Sequence, residues 1–426
     1  MNKSLFVISA PFDTYSGYGA RSRDIIKSII KSEKYDVKLL SQRWGMTPWG
    51  FIKDHFEEWG FLTNHLMSPD DQNRQPDIWM QITVPNEFQP FGKYNIGVTA
   101  GMETTLVDGT WIEGMNRMDV NFVSSNHSVQ SFKNSIYEKI GPQGQKMGMT
   151  KLEKPIEVLF EGANIDIYKP TKSSFDLSQI KESFAFLSVG HWMQGDLGED
   201  RKNIGLLIKS FLETFKNTQN APALILKTSG AGASYSDKEY ILKRYNKIKS
   251  TVKGNLPNVY IIHGELSDNE MNELYNHPKV KAMISLTKGE GFGRPLLEFS
   301  LSKKPILVSG WSGHSDFLKP DCYVYFKGEL KNVHPSAVVE KMILRESQWF
   351  SPNTMEVGTK MKDIFKNYKK YEELGVRQAY HSKNNFSWDK MHEKLVAYLE
   401  QYVPMFATEV KLKLPQLKKI ELPKKQ

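Results

Sequence analysis

Lys288-Gly289-Glu290-Gly291-Phe292-Gly293-Arg294-Pro295-Leu296-Leu297-Glu298 is the stretch on which the reading of this 426-residue chain turns. A short apolar run precedes it and a segment of helical period follows. Pro295 suits a first helical turn, where its missing N–H would be unpaired anyway. A strand, a glycine loop and a helix start in that order bring peptide N–H groups close to an anion, and the helix dipole adds partial positive charge. Glu290 lies before the helix and Glu298 within it. Carboxylates accept bonds from vicinal hydroxyls, so one can hold a hexose and the other a ribose. The spacing alone carries little in a chain with 48 acidic residues; the context makes it specific.

Outward from this loop, short apolar runs alternate with helical segments, the pattern of parallel sheets covered by helices. Strands are predicted at Leu5–Ala10, Asp36–Leu40, Ile78–Thr83, Asn95–Thr99, Val120–Ser124 and Ile156–Phe160. Helices at Ala20–Ile30 and Ser128–Tyr137 fall between them. A second series has strands at Phe184–Gly190, Ala223–Thr228, Val259–His263, Ala282–Leu286 and Pro305–Val308. Its helices are Ile204–Phe215, Asp237–Ser250, Asn269–Tyr275 and Pro295–Leu301. The polar stretch Tyr168–Ser183, with Pro170, reads as the linker. The expected organisation is an α/β chain with a Rossmann-like domain over residues 1–168 and another over 180–387. A last helix, 388–403, would cross back onto the first domain, and residues 404–426 form a basic tail. Two such sheets place their strand carboxyl ends on facing edges, with a ligand cleft between.

Composition limits the partners. The net charge is +9, with Lys411, Lys413, Lys418, Lys419, Lys424 and Lys425 in the tail. That balance favours an anionic partner, and the tail reads either as a tether to an anionic surface or as a solvated extension. No apolar run has the length of a membrane span. The single cysteine, Cys322, excludes an internal disulfide framework and suits a reducing, cytoplasmic compartment.

The central stretch resembles the signature of the retaining glycosyltransferases of family four, which have the GT-B fold and two glutamates separated by seven residues. Other matches follow in order. Ser188-Val189-Gly190 and then Arg201-Lys202-Asn203 resemble the strand and basic pair that grip the donor diphosphate. Val158-Leu159-Phe160-Glu161-Gly162-Ala163-Asn164 with Tyr168-Lys169-Pro170 resembles the interdomain stretch. His263-Gly264-Glu265-Leu266 resembles the turn that reads the base, and Ser16-Gly17-Tyr18-Gly19-Ala20-Arg21 the glycine loop of the acceptor domain. The opening is also similar to glycosyltransferases of tailed bacteriophages, for which the compartment would be the host cytoplasm.

The resemblance implies transfer of a sugar from a nucleotide-diphosphate sugar to an acceptor hydroxyl with retention at the anomeric carbon. Lys202, Arg201 and Glu290 would be catalytic. Lys227, Gly264, Glu265, Leu266, Gly291, Phe292, Gly293, Arg294 and Glu298 would bind the donor, and Gly17, Gly19 and Glu103 would form the acceptor side. No cofactor is implied, and with no convincing Asp-x-Asp motif no metal is expected. The acceptor is open between a glycan, a lipid-linked sugar and a hydroxymethylated base of phage DNA; for the last, Trp44, Trp49, Trp111, Arg43 and Lys93 would line the groove. Two departures stand out. His191 occupies the place where many members carry arginine, and Glu103 falls where many carry a catalytic histidine. Glu103 also reads as a helix cap or surface carboxylate, and His127 as a helix-start residue.

Rival readings are weaker. A nicotinamide enzyme would need a third glycine where Ser22 stands, and an acidic residue where the strand ends in Ser41-Gln42-Arg43. A phosphate loop of the Gly-x4-Gly-Lys type is absent. A pyridoxal-dependent phosphorylase would be longer. A catalytically inactive GT-B protein that binds nucleic acid or glycan is the remaining alternative.

Overall fold

The computed structural model describes residues 3–406 except 70, 72, 73, 231 and 233. The first half runs β1 (Ser4–Ala10), α1 (Gly17–Lys31), β2 (Tyr35–Ser41), α2 (Phe51–Asp54), α3 (Phe56–Trp59), β3 (Ile78–Ile82) and β4 (Tyr94–Val98). It continues through α4 (Gly109–Asn116), β5 (Val120–Val123), α5 (Asn126–Asn134), β6 (Tyr137–Ile140), β7 (Lys146–Thr150) and β8 (Ile156–Val158). The second half begins β9 (Ala185–Val189), α6 (Ile204–Phe215), β10 (Ala223–Lys227), α7 (Tyr235–Lys249), β11 (Val259–Ile262), α8 (Asp268–Asn276) and β12 (Val280–Ser285). Then come α9 (Arg294–Ser300), β13 (Ile306–Ser309), β14 (Val324–Phe326), β15 (Gly328–Asn332), β16 (Gln348–Pro352), α10 (Thr354–Lys366), α11 (Tyr368–Asn385) and α12 (Trp388–Tyr402).

Two six-stranded sheets result, in the orders β2-β1-β3-β4-β5-β8 and β11-β10-β9-β12-β13-β14. Every pairing within them is parallel. Parallel strands buried on both faces read as continuous apolar runs. Phe6, Val7 and Ile8 on β1, and Leu224, Ile225 and Leu226 on β10, are accordingly buried. In each sheet the chain reverses its direction of growth beside the first strand, between β1 and β3 and between β9 and β12. Such switch points leave a crevice at the strand carboxyl ends where ligands bind.

α12 packs on the first sheet. Trp388 Nε1 donates to the Asp24 carbonyl at 3.3 Å, Ser28 Oγ and His392 Nδ1 share a bond of 2.8 Å, and Tyr398 Oη donates to the Val158 carbonyl at 3.2 Å. Between β8 and β9 the chain has no regular element, but Tyr168 is buried and donates to Asp268 at 2.9 Å. No helix of the described residues is long and apolar enough to cross a membrane. Residues 407–426, most of the basic tail, lie outside the described residues.

The structure departs from the sequence reading in several places. The helix expected to Tyr137 stops at Asn134; Ser135 is extended, and Tyr137 opens the antiparallel β6–β7 hairpin. α10, α11 and the antiparallel β15–β16 pair were not foreseen.

Candidate active site

The loop from β12 to α9 carries Glu290. Gly293 caps α9 with φ +96°, a left-handed conformation that costs glycine nothing. The adjoining loop at the carboxyl end of β9 carries Arg201 and Lys202, so the two sides of the second sheet's switch point face each other. Lys202 Nζ lies 2.6 Å from Glu290 Oε1, and Arg201 Nη1 3.4 Å from Oε2. Arg201 also lies 3.6 Å from Glu103 Oε1, across the cleft on the first domain.

The backbone around this cluster is held under strain. Asn203, just after Lys202, caps α6 at φ +56° and is fully buried, and its side-chain amide has no partner among the described residues. Ser312 sits at φ +85° and its Oγ accepts from the Glu290 N–H at 2.9 Å. Gly313 N–H donates to the Glu290 carbonyl at 2.9 Å. Left-handed residues that are not glycine persist where surrounding bonds over-determine them, and they cluster at functional sites.

Electrostatics follow from this packing. Burial raises the Glu290 carboxyl, but Lys202 and Arg201 outweigh it and hold the group at about 2. Burial lowers Lys202 despite Glu290. For Arg201 the loss on burial is more than offset by Glu103 and Glu290, and its affinity for the proton rises. Glu290 and Arg201 therefore sit ionised beside Lys202 in a partly dry cleft, where a field acts more strongly than in water. The cations keep capacity to bind more. Among the described residues Lys202 makes one of its three possible bonds, and Arg201 bonds through Nη1 only.

The first domain closes over this loop. Ser124 Oγ shares its one hydrogen between the Ala100 carbonyl and the Gly291 carbonyl, the latter at 3.0 Å, while Asn126 N–H donates to Asp316 at 2.8 Å and Thr105 N–H to the Gln348 carbonyl at 2.9 Å. The glycine loop reaches the same place. Tyr18 Oη bonds Thr99 Oγ1 at 2.7 Å and accepts from the Ala100 N–H at 3.1 Å, and Ser16 caps α1 through Gly19 N–H at 2.9 Å. Gly17 is exposed and Gly19 buried.

The remaining sequence candidates fall into two groups. Lys227 Nζ donates to the Gly264 carbonyl at 2.6 Å, beside exposed Glu265 and half-buried Leu266, so the turn after β11 and the end of β10 form one wall. His191, the departure noted above, bonds Ser229 at 3.0 Å and is lowered by burial and by Lys202, Arg201 and Lys227, which keeps its imidazole neutral. Phe292 is turned into the core against Phe317, so only its backbone is open to a ligand. The Arg294 guanidinium is committed to Asp24 and Glu298. Burial pushes the Glu298 carboxyl up to about 8, against the pull of Arg294. His127 stands edge-on to Trp311 with ring centroids 4.4 Å apart, and burial lowers it to about 4.

Asp24, Ser312 and Asp316 were missed from sequence. Nothing in their neighbourhoods marks them, since each acts through a partner distant in the chain. A cavity of about 350 Å³ borders Asp24 and Arg294 with Lys27, Trp59, Asp268 and Trp388, but includes neither Lys202 nor Glu290. Among the described residues no group of three or more His, Cys, Asp or Glu is placed to hold a metal ion.

No family model matches the chain, and no curated protein matches it in sequence. Solved structures do match. A glycosyltransferase from Rickettsia africae superposes with TM-score 0.62 at 12% identity, over 95% of this chain and 99% of that one. Anabaena HepE, solved with UDP and glucose, gives 0.59 at 12%, over 93% and 100%. Sucrose-phosphate synthase from Thermosynechococcus elongatus gives 0.61 at 10%, over 94% and 99%. With two parallel six-stranded sheets facing across a cleft, this chain has the GT-B fold they share.

Proposed function

We propose that the protein is a retaining glycosyltransferase that moves a sugar from a nucleotide-diphosphate donor to an acceptor hydroxyl. The observation that carries this reading is the convergence of Arg201 and Lys202 on Glu290 at the switch point of the second sheet, opposite Glu103 and the glycine loop. The division of labour follows: residues 180–387 hold the donor, residues 1–168 the acceptor, and α12 ties the two together.

In this reading the donor's diphosphate lies on Arg201 and Lys202, near the peptide N–H groups of Gly291 to Gly293. Glu290 holds the transferring sugar. Glu298 takes the ribose, and Lys227 with Gly264 to Leu266 borders the base. The bond from the anomeric carbon to the distal phosphate oxygen breaks while the acceptor oxygen bonds that carbon on the same face. The acceptor's proton passes to the departing phosphate oxygen. Charge grows on that phosphate, and the two fixed cations stabilise it without reorganising; one such group contributes on the order of 3 kcal/mol. The reaction needs no metal in this account. The single buried Cys322 agrees with work in a reducing cytoplasm.

HepE was solved with UDP and glucose, which makes UDP the first nucleotide to try. The acceptor is expected to be a glycan or lipid-linked sugar, with hydroxymethylated DNA as a further arm of the screen. Titration of UDP, GDP and ADP into the wild type and Lys202→Ala tests the donor site. One nucleotide should bind the wild type and bind the variant far more weakly. If none binds, the donor reading fails and the inactive GT-B binding protein takes its place.

A further inference from the structure

At the seam between α1 and α9, one guanidinium joins the two domains. Arg294 Nη1 lies 2.5 Å from Asp24 Oδ2 on α1, and its Nε 2.8 Å from Glu298 Oε1 one turn along its own helix. All three side chains are largely buried, at 18%, 15% and 9% exposure for Arg294, Asp24 and Glu298. Around them stand Arg21 from α1, Glu161 from the interdomain stretch, Asp268 and Tyr275 from α8, and Tyr168.

The other bonds that cross the cleft differ in kind. Ser124 to Gly291 and Thr105 to Gln348 end on peptide groups, Asn126 offers Asp316 only neutral N–H donors, and Arg201 meets Glu103 at the longer distance of 3.6 Å. Arg201 too has a carboxyl group on each side, Glu290 at 3.4 Å and Glu103 at 3.6 Å, but only Arg294 holds both of its carboxyl partners within 3 Å. A planar guanidinium with fixed donor directions cannot keep both geometries if α1 moves away. The neighbouring cavity of about 350 Å³, bordered by Asp24 and Arg294, gives these side chains room to part.

We propose that Asp24 and Arg294 form an interdomain latch, with Arg294 a positioning residue that fixes the orientation of Glu298 only while α1 is seated against the second domain. This rests on the reading above that Glu298 takes the ribose. Arg294 then acts on the donor through Glu298 and needs no contact of its own. The latch makes seating of the first domain and retention of the nucleoside one coupled event. The diphosphate, held by Arg201 and Lys202 on the second domain, is outside that coupling.

The test uses the full chain as wild type, Asp24→Asn and Asp24→Glu. Calorimetric titration reads affinity for UDP, GDP and ADP and, separately, for inorganic pyrophosphate, and small-angle scattering reads the radius of gyration. Asp24→Asn should weaken the bound nucleoside diphosphate by about tenfold, the usual range of a site–site coupling. It should leave pyrophosphate unchanged and expand the molecule, and Asp24→Glu should restore most of the loss. Equal weakening of nucleotide and pyrophosphate overturns the proposal, as does a lowered melting temperature with nucleotide affinity intact. If the wild type binds no nucleotide, the donor reading fails first. Scattering then decides the latch by itself, and an unexpanded Asp24→Asn overturns it.

Discussion

Replacing Gly289 by alanine adds one methyl group and, on this structure, prevents the two domains from closing. A Cβ at Gly289 would stand 1.9 Å from the Glu103 carbonyl oxygen, 2.8 Å from its carbonyl carbon and 3.1 Å from its Cα. The obstacle is backbone, so no side chain can swing aside. Relief requires the segments around Glu103 and Gly289 to separate by about 1 Å, the scale at which overpacked contacts shift a backbone. That movement strains the Ser124–Gly291 bond and the paired bonds between Thr105 and Gln348. At about 1 kcal/mol net for each, roughly 3 kcal/mol of closing energy is lost. A shift of that size lowers the closed-to-open ratio on the order of 100-fold. Misplacement of reacting groups by about 1 Å costs a similar factor. The second domain itself should fold normally, because Gly289 is not among the residues with positive φ. The assay is release of nucleoside diphosphate from whichever donor the wild type turns over, with melting temperature and scattering measured in parallel. A folded, expanded variant with kcat about 100-fold down fits the account. Wild-type turnover by folded Gly289→Ala would refute the reasoning, because the closed seam could then not be the active form.

Other outcomes follow from the same geometry. Lys202→Met should lower kcat by about 10²- to 10³-fold, the range for loss of one preorganised charge, with melting temperature measured to separate this from unfolding. Gly19→Ala should lower the melting temperature, since its Cβ would meet the Thr14 carbonyl at 2.3 Å; Gly17→Ala meets nothing within 4 Å and should leave it unchanged. His127 remains neutral in the folded protein down to about 4, against 6.5 for a free imidazole. The unfolded chain therefore binds the extra proton first, and stability falls as pH drops from 6.5 toward 4, by on the order of 3 kcal/mol in all. Denaturant titrations across that window should show the slope in the wild type and a flatter one in His127→Asn.

The sheets were legible because parallel strands covered on both faces leave unbroken apolar runs, and β3, β5 and β10 fall within two residues of their expected bounds. α11 escaped for the converse reason. Its buried positions are Gly375, Gln378, Ala379 and Ser382, small or polar residues that pack closely and leave no apolar period to detect. The β6–β7 hairpin misled the reading because Ile136, Ile140, Met147 and Met149 are apolar yet exposed. At the site, the glycine loop between a strand and a helix singled out Glu290 and Glu298, and the family resemblance added Arg201 and Lys202. They could not foretell that Arg294 would turn to Asp24, 270 positions away. Nor could they foretell that Phe292 would point into the core, since both outcomes depend on how the domains and layers meet.

The most direct test of the central claim is turnover of a nucleotide sugar by the purified full chain. UDP-glucose and sugars of the other nucleotides are incubated separately without acceptor, and released nucleoside diphosphate is measured for the wild type, Lys202→Ala and Glu298→Ala. The account expects slow release from one donor by the wild type and loss of that release in both variants, which still fold. Contradiction would be release that the variants sustain at the wild-type rate, or a folded wild type that neither binds nor cleaves any donor.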